Sequence, residues 1–104
     1  MTSLEVDGNV NAAYLTLADL PVARTVEITP AVQVDLSDTG EVVGVEFLDL
    51  AADVPLGLLL ERVRLSPSQL DAVIQARLTL RSFTKVTSSE LGFSGANTSD
   101  LQPV

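Results

Sequence analysis

A chain of 104 residues with 46% apolar residues and a mean hydropathy of +0.34 is one domain's worth of foldable sequence, which excludes global disorder. It contains neither Cys nor His, which removes disulfides, thiolate metal sites, thiol nucleophiles and the commonest general base near neutral pH. The net charge of −8 is unevenly placed: residues 1–53 carry ten acids against the single base Arg24, while 54–85 carry five bases against Glu61 and Asp71.

In chain order, Leu4 and Val6 alternate with Ser3, Glu5 and Asp7, and Gly8-Asn9 marks a turn. Ala13, Leu15 and Leu17 then alternate with Ala12, Tyr14 and Thr16, before Asp19-Leu20-Pro21 breaks the pattern. Val22, Val26 and Ile28 share a parity with Arg24, and Thr29-Pro30 makes a tight connection, since Pro30 lacks the N–H of a central strand. Val32, Val34 and Leu36 fall on one face, Ser37-Asp38-Thr39-Gly40 supplies a turn with Gly40 free to take positive φ, and Val43, Val45 and Phe47 form one face of the return strand. The expected fold class is α+β: an antiparallel β-meander of about five strands (2–7, 12–18, 22–28, 31–36, 42–49) followed by one or two helices (54–64, 67–81) packed on one face.

The hairpin AVQVDLSDTGEVVGVEFLDL holds five acids, Asp35, Asp38, Glu41, Glu46 and Asp49, and no base. Asp38 and Glu41 sit at the turn, while Asp35 and Glu46 project from the face opposite the valines. A calcium loop wants acids at its first, third and fifth places, whereas DLSDTG offers the first and fourth. Acid–base work needs one desolvated carboxylate, and nothing apolar in this register buries one. The acids therefore read as a solvated face, with a weak divalent-cation site as the alternative. No catalytic, cofactor or metal residue is assigned, and the expectation is that the protein is not an enzyme.

After the sheet the period changes. In DVPLGLLLERV, Leu56, Leu59, Leu60 and Val63 recur at helical spacing, with Asp53 placed to cap and Pro55 in the first turn. Gly57 weakens that helix by ~1 kcal/mol against Ala, and a strand from Gly57 to Leu65 is the alternative. The segment SPSQLDAVIQARLTLRS is clearer: Ser66 and Gln69 form a capping box, Pro67 suits the first helical position, and Leu70, Val73, Ile74 and Leu78 make an apolar stripe. From Val86 the composition turns to Ser, Thr, Gly and Asn, which reads as a disordered tail with Leu91 and Phe93 as anchors. The expected organisation is thus one domain over 1–85 and a tail over 86–104.

The pieces AAYLTLAD at 12–19, VARTVEIT at 22–29 and VQVDLSDTGEVVGVEFLDL at 32–50 are similar to those of domain of unknown function 2283, a family of small proteins of bacteria and their phages. The resemblance covers residues 3–50 and implies a short β-meander with a helix and no catalytic residue to carry over. Some members lie beside genes that look like toxins, which implies an antitoxin role by association alone.

The leading functional expectation is a non-enzymatic protein-interaction module that self-associates as a dimer. It rests on PLGLLLERVRL, where Leu58 falls off the stripe of Leu56, Leu59 and Leu60, so that the helix is apolar nearly all round and must be covered on more than one side. These four leucines and Arg24 are the expected interface. Arg24, sharing parity with core valines in an acidic region, reads either as one arm of an ion pair with a nearby acid or as an anchor for an acidic ligand. An alternative is an acidic antitoxin or phage-encoded inhibitor that neutralises a basic protein. A further alternative is a helix–turn–helix using Arg77, Arg81 and Lys85, against which the overall charge argues, so nucleic acid is not an expected partner. Residues MTSLEVDG lack the basic cluster and apolar run of a signal peptide, and no window approaches ~20 apolar residues. A cytoplasmic location away from the membrane is expected.

Overall fold

The computed structural model describes residues 2–91, with side chains through 82. Five strands, β1 (Ser3–Asp7), β2 (Ala12–Thr16), β3 (Arg24–Thr29), β4 (Val32–Leu36) and β5 (Val42–Phe47), precede two helices, α1 (Leu56–Arg62) and α2 (Pro67–Leu91). The α+β class and the run of strands before helices are as the sequence predicts.

All strand pairings are antiparallel, in the order β1-β2-β5-β4-β3. The arrangement refines the expected meander, because β2 pairs with β5 and β3 lies at the far edge. Residues 17–23 carry the chain across the turn end of the β4–β5 hairpin. Leu17 and Ala18 both donate their N–H to the Val43 carbonyl (2.8 and 3.1 Å), and Ala23 donates to that of Leu36 (2.8 Å). The Val43 carbonyl is available because Leu36 pairs with Val42 while Asp35 pairs with Gly44, which leaves Val43 as the extra residue of a β-bulge. The bulge also corrects the expected parity: Val42 joins the core cluster with Val45 and Phe47, and Val43 is buried outside it.

Elsewhere the two-residue pairing is interrupted once more, between Glu27 and Thr29 of β3. Ala13, Leu15 and Leu17, with Val32, Val34 and Leu36, cover the helix side of the sheet, and Val32, Val34, Val42 and Val45 are 0% exposed. Each such side chain contributes roughly 1.5–3 kcal/mol relative to exposure. Gly40 takes φ +86 in the β4–β5 turn, which Ser37 ties by accepting the Glu41 N–H on its Oγ (3.2 Å). In the β1–β2 turn, Asn11 rather than Gly8 takes positive φ, at 56, as Asn does more readily than other side-chain-bearing residues.

The helices confirm one expected cap and correct another. Gln69 N–H donates to Ser66 Oγ (3.2 Å) and Ser66 N–H to Gln69 Oε1 (2.9 Å), a complete capping box. Helix α1 begins after Pro55 with no side-chain cap; Asp53 instead pairs with Arg81 at 3.4 Å. The buried stripe of α2 is Val73, Ala76 and Leu80, so that Leu70 and Ile74 are half-buried and Leu78 is exposed. The helix continues to Leu91 instead of ending at 81, because Thr87, Ser88 and Ser89 are weak helix formers but not breakers. It thus includes the first residues of the expected tail; 92–104, with Phe93, lie outside the described residues.

Candidate functional site

Two surfaces collect the polar residues of this fold. The first is the face of the sheet opposite the helices. On it, Tyr14 of β2 donates its hydroxyl to Asp35 Oδ2 (2.8 Å), and Thr25 of β3 donates to Asp35 Oδ1 (2.6 Å). Because β5 lies between β2 and β4, the Tyr14 ring must cross it to reach Asp35. It crosses at Gly44: a Cβ there would stand 2.6 Å from Tyr14 Cε2 and nearer still to the phenol oxygen. A glycine in a central strand forgoes packing, and here the tyrosine ring supplies what its side chain lacks. The cluster ties the strand order together from β2 to β3.

Its electrostatics follow from that geometry. Burial pushes the Tyr14 hydroxyl well above its ordinary range, and the hydrogen bond and charge of Asp35, then the charge of Glu46, push it further. Tyr14 therefore remains a proton donor at any physiological pH, and both Asp35 oxygens are occupied. As expected, Asp35 and Glu46 lie on the face opposite the valines, half-buried rather than fully wet. Among the described residues, no three acidic side chains gather as a cation site would require.

The second surface is a groove of 420 Å³ on the helix side, at the turn end of the sheet. Arg24 at the start of β3 and Leu60 near the end of α1 both line it, with Leu36, Arg62, Val63 and Arg64. Two of the five residues expected at an interface thus meet in one place. Leu60 is 46% exposed, and Val22, of the same strand parity as Arg24, is 51% exposed. The other three are placed differently. Leu59 is 0% exposed and belongs to the subunit's own core, against which Leu56 and Leu58 pack half-buried. Leu59 is thus the one buried residue of α1, and Leu60 is the leucine that the helix leaves exposed.

Arg24 lacks the ion pair with a neighbouring acid that its acidic surroundings suggest; among the described residues the one ion pair is Arg81–Asp53. Its nearest cationic company comes from α1 and the segment after it. Arg62 donates Nη1 to the Glu27 carbonyl (3.3 Å), covering a free acceptor on the β3 edge. Glu61 is the one acid on the groove's rim. Three guanidinium groups therefore gather on a chain of net charge −8. Sequence spacing shows Arg62 and Arg64 as a basic pair but cannot bring Arg24 to them, because that contact depends on the long link before β3. Arg77 and Arg81, the cations of the helix–turn–helix alternative, are half-buried and paired with Asp53, respectively, and the Lys85 side chain lies outside the described residues.

No described helix is long and apolar enough to cross a membrane. Neither a curated protein nor a solved structure matches the chain. Residues 4–50, the whole of the sheet from Leu4 onward, match the family described as Protein of unknown function (DUF2283), and the resemblance read from the strand motifs is therefore to that family.

Proposed function

We propose that the chain is a non-enzymatic protein-interaction module that self-associates through the groove where Arg24 and Leu60 meet. The observation that carries this reading is that the exposed Leu60 lines the same groove as three guanidinium groups, none of which forms an ion pair among the described residues. Arginine is enriched at interfaces, and an exposed apolar side chain beside it gains by burial against a partner. A second copy supplies the missing acid. In a two-fold contact a residue pair is made twice, so Glu61 of each copy meets Arg24 of the other while the two Leu60 side chains bury together. Light scattering at low micromolar concentration tests it: the wild type gives twice the 11.0 kDa chain mass, and Leu60→Asp gives 11.0 kDa with its fold intact.

A second reading has its own observation. Glu5, Asp7 and Glu46 line a concave surface at the opposite end of the sheet, beside the half-exposed Val6. That surface suits a basic segment of another protein, as an acidic antitoxin-like inhibitor would require, with association steered by charge. Recovery of a basic protein in stoichiometric amount with the wild type, and its loss with Glu5→Lys/Glu46→Lys, supports this reading over self-association alone.

A further inference from the structure

A third concavity, sharing no residue with the groove of Arg24, lies between α2 and the loop that leaves β5. Its floor is Phe47, Leu50, Val54 and Leu80, all buried. Its wall carries Arg77 and Arg81, one helical turn apart. The four charged groups nearest the recess are not equally engaged. Arg81 holds Asp53 at 3.4 Å on the surface. Asp49 Oδ1 accepts from Asn11 Nδ2 (3.1 Å) and from the Ala51 N–H (3.0 Å). Among the described residues Arg77 forms no ion pair, and its Nε is buried with no hydrogen-bond partner. An unpartnered buried guanidinium N–H is costly, and the guanidinium that carries it lines an apolar recess with no acid paired to it among the described residues, so an anionic acceptor in the recess has a cation to meet.

We propose that this recess binds a small carboxylate with a compact apolar body, a ring or a branched chain. The carboxylate meets Arg77, and the hydrocarbon lies on the floor of Phe47, Leu50, Val54 and Leu80. The size fits: the recess holds 200 Å³, and an apolar cavity of about 150 Å³ accommodates benzene, which leaves room for one carboxylate on the ring. The charge fits as well, since an ionised acceptor forms the shorter and stronger bond with a guanidinium, and a neutral one of the same shape does not replace it.

The test is a titration of the full chain with benzoate and, separately, with its uncharged counterpart benzyl alcohol, followed by amide chemical shifts. Benzoate binds saturably and moves the resonances of Leu50, Ala51, Ala52 and Val54, and benzyl alcohol binds about tenfold more weakly or worse. Arg77→Met abolishes the benzoate response while the melting temperature holds or rises, because the substitution removes an unsatisfied buried donor and keeps the packing. Equal binding of the two probes, shifts confined to other surfaces, or an undiminished response in Arg77→Met overturns the assignment. So does the absence of saturable binding by the wild type. Shift mapping on the wild type decides the matter even where the variant does not fold.

Discussion

Tyr14 and Gly44 show how one side chain and one missing side chain fix a sheet. The ring lies where a Cβ at Gly44 would be, and its hydroxyl reaches the carboxylate of Asp35 on β4, beyond the intervening β5. Gly44→Ala should therefore destabilise the fold by about 1–3 kcal/mol, as overpacking does. In a Tyr14→Ala background the same substitution should cost much less, since the atom it collides with is gone; chemical denaturation of the four proteins in the cycle measures the coupling. The raised ionisation of Tyr14 makes a second prediction. The folded hydroxyl holds its proton beyond the point, near pH 10, at which an unfolded tyrosine gives it up. Its contribution to stability is complete below that pH and is lost as pH rises from there toward the folded value. Tyr14 is the one tyrosine in a chain without tryptophan, so its ultraviolet absorbance reports this group alone. The tyrosinate band should appear together with loss of the fold on the alkaline side, and Tyr14→Phe should flatten that limb of the stability profile. Strand alternation placed Tyr14, Asp35 and Glu46 on the right face, but their contact depends on β2 lying beside β5, which no local pattern encodes.

At the scale of elements, the features that read directly from the sequence are those made by neighbours in the chain. The capping box of Ser66 and Gln69 spans four residues, and the turn of Ser37 to Gly40 another four; both form as their residue types dictate. Ser66→Ala should cost ~1 kcal/mol, measured as a shift in the denaturation midpoint at constant slope. The features that did not read directly are those set by distant partners. Asp53 is placed to cap α1 but is drawn to Arg81, twenty-eight positions away. The stripe Leu70, Ile74 and Leu78 is as apolar as the buried one of Val73, Ala76 and Leu80, and only the packing of α2 against the sheet decides between them. The bulge at Val43 shifts one valine out of the core and another in, a one-residue change that a strict period of two cannot contain. Leu59 illustrates both halves: its helical spacing is legible, and its enclosure within the subunit is a property of the whole sheet.

For the whole molecule, the distribution of charge is the dominant fact. Ten acids and one base occupy the part of the chain that makes the sheet and the loop after it, and the structure brings that single base to the two arginines that close α1 and follow it. The result is a cationic, partly apolar groove on an anionic body, with Glu61 at its rim. Composition announces the imbalance; only the path of residues 17–23 across the hairpin turn makes it a site. Self-association through that groove is tested by a charge exchange. Arg24→Glu and Glu61→Arg each place like charges opposite one another twice in a two-fold contact, whereas a mixture of the two variants restores both pairs. The mass of each variant alone and of their equimolar mixture, by light scattering, is the measurement. Each variant alone should give 11.0 kDa and the mixture twice that, against a dimeric wild type. A wild type of 11.0 kDa at every concentration, or variants whose masses are the same alone and mixed, would contradict it.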